Sequence, residues 1–481
     1  MNYVDSWLKQ TSISRLGALA AAAIAPAGCA PAAQSGSPAP GSSSPSSTSS
    51  STASVASSGI LSDASGSSQA ESPTQLLANM SLEQRVGQLF MVRPEQLAGE
   101  ASRLAASSQL GAALERFPVG GVCLFSQNMQ TAQQVEDFLA QAHSCWRNAG
   151  IPSPFLAVDE EGGDLVARVA NSGLFNVGRV PNMGEVGASG DPARAADVGA
   201  ANAGYLADIG FNVDFAPVAD VLTNPNNPVI GPRSFGSDPQ LVGDMVAVQV
   251  KAMLEAGVLP CAKHFPGHGD TSEDSHTGAA VTQRTAQELA ACEYVPFKKA
   301  ISAGCPMVMV GHIQAPQVNG DNLPASLSSQ MIDGVLRGEL GFEGVVVADS
   351  FEMGAVIQAF DAGEAAVRFI QAGGDLILLP LDLELAYQGV LSAVREGEIS
   401  QERLDQSVLR ILRAKERAGL LGKSVLLWVS RCRTRAGSRR GSSDGARAAP
   451  SRGYGAVPSA KMGAFTVRCD RSRVRRPTSA S

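Results

Sequence analysis

The chain has 481 residues, 44% of them hydrophobic, enough for two or three average domains or for one large α/β barrel with appendages. Its formal charge of −7 is unevenly spread: from Lys423 onward there are fourteen Lys or Arg against only Asp444 and Asp470, which leaves −19 on the residues before them. So acidic a body lacks the basic footprint that nucleic-acid binding needs, and no nucleic-acid partner is expected.

In chain order, Lys9 and Arg15 precede an apolar run over 16–25. That run is too short to span a bilayer and suits the apolar core of an export signal. Ala27-Gly28-Cys29 then resembles a lipobox, in which the cysteine is lipidated after cleavage. Residues 1–29 are therefore expected to be a signal peptide, with Cys29 a candidate lipid anchor to the membrane and plain secretion the alternative. Residues 30–72 are rich in Ser, Pro, Ala and Gly with almost no large apolar side chains, and they read as a flexible linker. The 423–481 tail is rich in Arg, Ser, Gly and Ala, and after Val429 it has no sustained periodicity, so it reads as a disordered extension outside the fold. Cys123 and Cys261 sit in apolar runs as small buried thiols, and no CxxC pair suggests a structural zinc.

Between residues 73 and 422, apolar runs alternate with helical patterns. The runs are 89–92, 121–125, 155–159, 213–218, 258–265, 307–312, 344–349 and 375–379. Because they are mostly continuous rather than alternating, they suit parallel strands covered on both faces. Helical spacing marks 131–149, 240–256, 285–303, 328–340 and 363–372, and Ser400 opens a further helix as its N-cap. Eight strands alternating with helices predict a (β/α)8 TIM-like barrel forming a single catalytic domain. A doubly wound open sheet is the runner-up, disfavoured because no GxGxxG or GxxxxGK[ST] loop follows a strand.

Asp159, Asp220, His264, His312 and Asp349 each lie at or just beyond the C-terminal end of one of these strands. In a barrel those ends share one rim, where active sites are built. The densest stretch is Lys263-His264-Phe265-Pro266-Gly267-His268-Gly269-Asp270-Thr271, followed by Asp274-Ser275-His276, which holds three of the five histidines. An apolar run that ends abruptly in such polar, Gly-rich sequence is a strand feeding a functional loop.

Several segments together resemble glycoside hydrolase family 3, in particular its bacterial β-N-acetylglucosaminidase branch. They are Val158-Asp159-Glu160-Glu161-Gly162-Gly163, residues 212–220, Asn226-Asn227-Pro228-Val229-Ile230-Gly231 with Arg233-Ser234-Phe235-Gly236, residues 263–276, and Val347-Ala348-Asp349-Ser350-Phe351-Glu352-Met353. The resemblance implies that Asp349 is the nucleophile of a covalent glycosyl-enzyme intermediate. It makes His276 the general acid/base, oriented by Asp274. An unperturbed imidazole titrates near working pH, so it can donate a proton and later accept one. Sugar-holding roles fall to Asp159, Arg168, Arg233, Lys263 and His264. On a regular strand Lys263 and His264 point to opposite sides, so both reach a sugar only if the strand end twists or bulges. His268 and Asp270 read as loop-shaping residues, and His312 as either a pocket residue or a structural histidine.

The activity so implied is that of an exported, retaining exo-β-N-acetylhexosaminidase, removing terminal N-acetylglucosamine from peptidoglycan fragments or related glycans. No cofactor or metal is expected, and a monomer is. Rival readings are a family 3 β-glucosidase, a β-N-acetylglucosaminide phosphorylase, a metal-dependent barrel hydrolase and a non-catalytic sugar-binding lipoprotein. The metal reading lacks an HxH set early in the barrel. Family 3 β-glucosidases generally draw their acid/base from a second domain, whereas ordered sequence here ends near Gly422, which favours His276.

Overall fold

The long apolar runs become strands because each is buried on both faces, and eight of them close into a parallel barrel. The strands are β1 (Phe90–Val92), β2 (Gly121–Cys123), β3 (Phe155–Val158), β4 (Glu160–Gly162), β5 (Val166–Ala167), β6 (Val213–Asp214), β7 (Leu259–Phe265), β8 (Ala280–Val281), β9 (Met307–Val310), β10 (Ile313–Gln314), β11 (Val345–Ala348) and β12 (Ile377–Leu378). The sheet runs β11-β9-β7-β6-β3-β2-β1-β12, every pair parallel. A bridge between Val347 and Leu376 joins its two ends. This computed structural model describes residues 71–106, 108–275 and 278–421. Cys29 with its export signal, the linker to residue 70, His276 and the basic tail lie outside the described residues.

Helices between the strands cover the barrel, and their starts follow local chemistry. Thr131, Asp191, Asp238 and Ser400 each cap a helix by accepting a backbone N–H with the side chain. Gly257, at φ 89°, ends the helix Pro239–Ala256 in the left-handed conformation and turns the chain into β7. Two small sheets sit beside the barrel strands. The β4–β5 hairpin extends from the end of β3, and β8 pairs with β10, tying the loop after β7 to the loop after β9.

Two helical expectations are corrected. The stretch 285–303 forms two helices, Ala286–Ala291 and Tyr294–Ser302. Pro296 is the cause, because its ring would collide with the carbonyl of Cys292 in a continuous helix. The 328–340 stretch is a π-helix over Gln330–Glu339 rather than an α-helix.

The seam of the barrel is fastened from below by one buried carboxylate. Asp375 Oδ2 accepts from the backbone N–H of Val346 (2.9 Å) and from Arg337 (2.6 Å). Its Oδ1 accepts from Ser407 (2.6 Å) and Arg410 (3.0 Å), both on Gln401–Arg417, the last helix among the described residues. That helix also sends Lys415 into the barrel floor, fully buried, where Nζ donates to Gln88 Oε1 (2.7 Å) and lies over the Phe155 ring. The last helix thus clamps residues at both ends of the sheet order. Among the described residues five cysteines are free, three of them buried.

Removing the carboxylate in Asp375→Ala leaves Arg337, Arg403 and Arg410 without their common partner. Stability should fall by roughly 3–5 kcal/mol, read by urea unfolding, because an uncompensated buried charge costs more than a lost contact. Lys415 gives a pH-dependent counterpart, since burial depresses its ammonium from 10.5 to about 7. Between those values the unfolded chain holds a proton that the folded chain does not, so folding stability rises with pH across that window. Lys415→Met should therefore gain most below pH 7. Its stability advantage over wild type should be larger at pH 6 than at pH 10 by on the order of 4 kcal/mol.

Candidate active site

The parallel barrel brings its C-terminal strand ends to one rim, and a cleft of about 980 Å³, open mouth included, lies there. Asp159 after β3, Arg168 after β5, Arg233, Lys263 and His264 on β7, and Asp349 after β11 all line it. All six residues come from the sequence reading, and the fold brings them together from segments up to 190 positions apart.

Five charges alternate in sign across one side of the cleft. Arg168 Nε meets Asp159 Oδ2 at 3.2 Å, and Lys263 Nζ meets Asp159 Oδ1 at 2.8 Å. The same Lys263 Nζ lies 2.7 Å from Glu161 Oε1. Arg233 then grips Glu161 with two bonds of 2.7 Å, Nε to Oε2 and Nη2 to Oε1. Burial alone would raise both carboxyls. Lys263 and Arg168 more than offset this at Asp159, and Arg233 and Lys263 at Glu161, so both are held below the usual carboxylate range. Burial would likewise discharge Lys263, but Asp159 and Glu161 hold its ammonium above its ordinary value. All five groups are thus charged and fixed, presenting donors and acceptors at set positions to a polyhydroxyl ligand.

His264 is oriented from behind. Its Nδ1 lies 2.7 Å from Asp220 Oδ2, and its backbone N–H donates to Asp220 Oδ1 (3.2 Å). Its Nε2 lies 3.5 Å from Arg233 Nη2. The expected departure from strand alternation occurs here: the pairing register shifts between Ala262 and Phe265. Both side chains line the cleft.

Asp349 follows β11, with its N–H donating to Val310 O (3.0 Å) and its Oδ1 accepting the N–H of Ser350 (2.8 Å). His312 is structural: buried, its Nδ1 lies 2.7 Å from Ser326 Oγ and its Nε2 2.9 Å from the Ser350 carbonyl. Asp270 shapes its loop, accepting from Thr223 (3.2 Å) and Thr282 (3.1 Å) and pairing with Arg284 (3.2 Å). Asp274 is half-buried, and its carbonyl accepts the N–H of Gly278 (3.2 Å). Ser275, between Asp274 and His276 in the chain, lines the cleft with Asp349.

Three contributors were missed from the sequence. Glu161 stands two residues after Asp159, a spacing that in extended chain puts both on one side and could have flagged it. Asp220 was placed on the rim without a role. Arg93 follows β1 and makes a bidentate pair with Glu352 (2.6 and 2.6 Å) at the cleft edge. The Phe125 ring lies between Arg93 and Arg168, 5.8 and 4.4 Å from their guanidinium carbons. Among the described residues, no cluster of three or more His, Cys, Asp or Glu is arranged to hold a metal.

Residues 81–414 match the model of the glycosyl hydrolase family 3 N-terminal domain. The chain belongs to glycoside hydrolase family 3. It is 33% identical over 335 residues to beta-hexosaminidase A of Pseudoalteromonas piscicida, a match covering 64% of this chain and 55% of that protein. It is also 33% identical over 366 residues to the beta-hexosaminidase LpqI of Mycobacterium tuberculosis, covering 74% of this chain and 90% of that one. Among solved structures, a family 3 beta-N-acetylglucosaminidase from Paenibacillus superposes with a TM-score of 0.66 at 36% identity, covering 74% of this chain and 69% of the other.

Glu161→Gln should leave Lys263 and Arg233 short of one negative charge in a buried setting. We expect a loss of roughly 3 kcal/mol in urea unfolding at pH 7. A carboxyl held low contributes stability that is present above its unfolded value of 4.5 and lost as pH falls through its lower folded value. The difference between Glu161→Gln and wild type should therefore shrink as the buffer is taken below pH 4.5.

Proposed function

We propose that the protein is a retaining exo-β-N-acetylhexosaminidase that releases terminal β-N-acetylglucosamine. The observation that carries this reading is Asp349, a carboxylate on a rigid strand end facing, across one cleft, the fixed Asp159–Lys263–Glu161–Arg233 array. The names of its relatives supply the sugar.

In this reading Asp159, Arg168, Arg233, Lys263 and His264 hold the terminal sugar by its hydroxyl and acetamido groups. An Asp349 oxygen attacks the anomeric carbon as His276 gives its proton to the departing glycosidic oxygen, yielding an ester between sugar and Asp349. His276, now neutral, takes a proton from a water whose oxygen attacks the same carbon. That second displacement restores the Asp349 carboxylate and releases the sugar with its original configuration. Asp274 orients the imidazole. Because the array is charged yet closely balanced, the cleft also admits an anionic aglycone, so peptidoglycan fragments are the substrate class we assign. Export through the first 29 residues, with lipidation at Cys29, would place the enzyme beside that substrate.

The test compares wild type, Asp349→Ala and His276→Ala on aryl β-N-acetylglucosaminide and aryl β-glucoside, with and without phosphate. Wild type should prefer the acetamido sugar and release it as free sugar even in phosphate. Asp349→Ala should fall to background, and His276→Ala should lose roughly 10²–10⁴-fold. Activity confined to the glucoside, a sugar phosphate as main product, or full activity in Asp349→Ala would each reject the assignment.

A further inference from the structure

The stretch between the end of β7 and β8 carries more hydrogen bonding than loop shape alone requires, and much of it converges on His268 and Ser275. His268 is buried, as is Ser275 seven residues later. Asp220 Oδ1 accepts the His268 backbone N–H (2.6 Å), so the carboxylate that orients His264 also fixes the root of this loop. Thr271 Oγ1 lies 2.7 Å from His268 Nδ1, and His268 Nε2 lies 3.0 Å from Ser275 Oγ.

The direction of these bonds can be worked out. Burial pulls the His268 imidazole down to about 4, so the ring is neutral and carries one proton. The Thr271 hydroxyl has a single hydrogen and two candidate acceptors, His268 Nδ1 and the His268 carbonyl at 3.0 Å. That carbonyl already accepts from Asn227 Nδ2 (2.8 Å) and from the Thr271 N–H (3.3 Å), which occupies both of its lone pairs. The hydroxyl hydrogen therefore goes to Nδ1. The ring proton then sits on Nε2 and is donated to Ser275 Oγ, leaving the serine its own hydrogen for a second partner in the cleft it lines.

Ser275 is also held through its backbone. Its carbonyl accepts the N–H of Ala355 (3.3 Å), six residues after Asp349, and the Gly278 N–H closes onto the Asp274 carbonyl (3.2 Å). Ser275 is thereby pinned on one side to His268 and on the other to the segment carrying Asp349.

We propose that His268 and Ser275 are positioning residues for the acid/base loop, the Nε2–H···Oγ bond and the Ser275–Ala355 contact together fixing the distance between that loop and Asp349. The proposal rests on the reading of His276 as acid/base and adds two residues to it that do not themselves exchange protons with substrate. Holding a catalytic group within a fraction of an ångström of its productive place is what such supporting bonds do.

A loop-positioning role predicts a dependence on the leaving group. A basic leaving group needs a proton at bond cleavage, whereas 2,4-dinitrophenolate departs without one. For Ser275→Ala and His268→Ala, kcat/KM on phenyl β-N-acetylglucosaminide should fall by about 10- to 100-fold, within the reach of general-acid catalysis. On the 2,4-dinitrophenyl glycoside the same variants should fall by less than about 3-fold. Ser275→Thr, which keeps the hydroxyl, and His268→Gln, which keeps a donor near the Nε2 position, should recover part of the loss. Thermal midpoints measured alongside identify any variant that fails to fold, and the two conservative variants then decide the matter. Equal losses on both substrates, or no loss on either, would overturn the proposal. A wild type that cleaves only glucosides would refute the sugar assignment, while the same comparison on phenyl and dinitrophenyl glucosides still judges the loop. A wild type inert on both sugars would end the enzymatic reading and the proposal together.

Discussion

Lys263 brings an ammonium into a space where only 2% of the residue is exposed, and the organisation of the cleft answers to that charge. Buried alone it would lose its proton or unfold the strand that carries it. It keeps the proton because Asp159 and Glu161 flank it, and those carboxylates are in turn balanced by Arg168 and Arg233. The four other charges come from the β3–β5 region and the segment after β6, so neutralising one side chain fixes two separate pieces of chain against β7. Such arrays are poor stabilisers in themselves, since desolvation consumes most of the Coulombic gain. Their return is geometric: the donors and acceptors are already in place before any ligand arrives.

A second carboxylate, Asp220, couples the cleft wall to the loop after β7. It is bonded at once to His264, which faces the cleft, and to the backbone of His268, which anchors the loop toward Ser275. Movement of either would be felt by the other through one rigid, buried group. Asp349 is tied in from the opposite side by its bond to Val310 and by the Ala355–Ser275 contact. Asp349 and Ser275 are thus tied to neighbouring pieces of chain by backbone hydrogen bonds.

Much of this architecture was legible in the sequence, and what was not has physical causes. The eight runs of Val, Ile, Leu and Phe announced their strands because double burial leaves no alternation to confuse with helix. The break at Cys292 was missed because helical spacing continues through it, and only the Pro296 ring forbids the continuous form. Asp159, His264 and Asp349 were found as strand-end polar residues, and the family resemblance supplied Arg168, Arg233 and Lys263. Glu161 was passed over because its partner Arg233 lies 72 positions away. Asp220 had no role for a similar reason, its histidine lying 44 positions along the chain. Whether Lys263 and His264 could share a face was not decidable from spacing, because it depends on a local irregularity of β7.

The last helix supplies no side chain to the cleft, yet Lys415 reaches Gln88, 327 positions earlier, and Arg410 and Ser407 hold the closing seam. During synthesis the first barrel strand therefore waits, its apolar residues uncovered, until nearly all of the domain has been made. A ribosome that stops short of the final helix would release a chain with every reactive group present and no means of closing the ring around them. Intact catalytic residues in a shortened gene would thus say little about whether its product works.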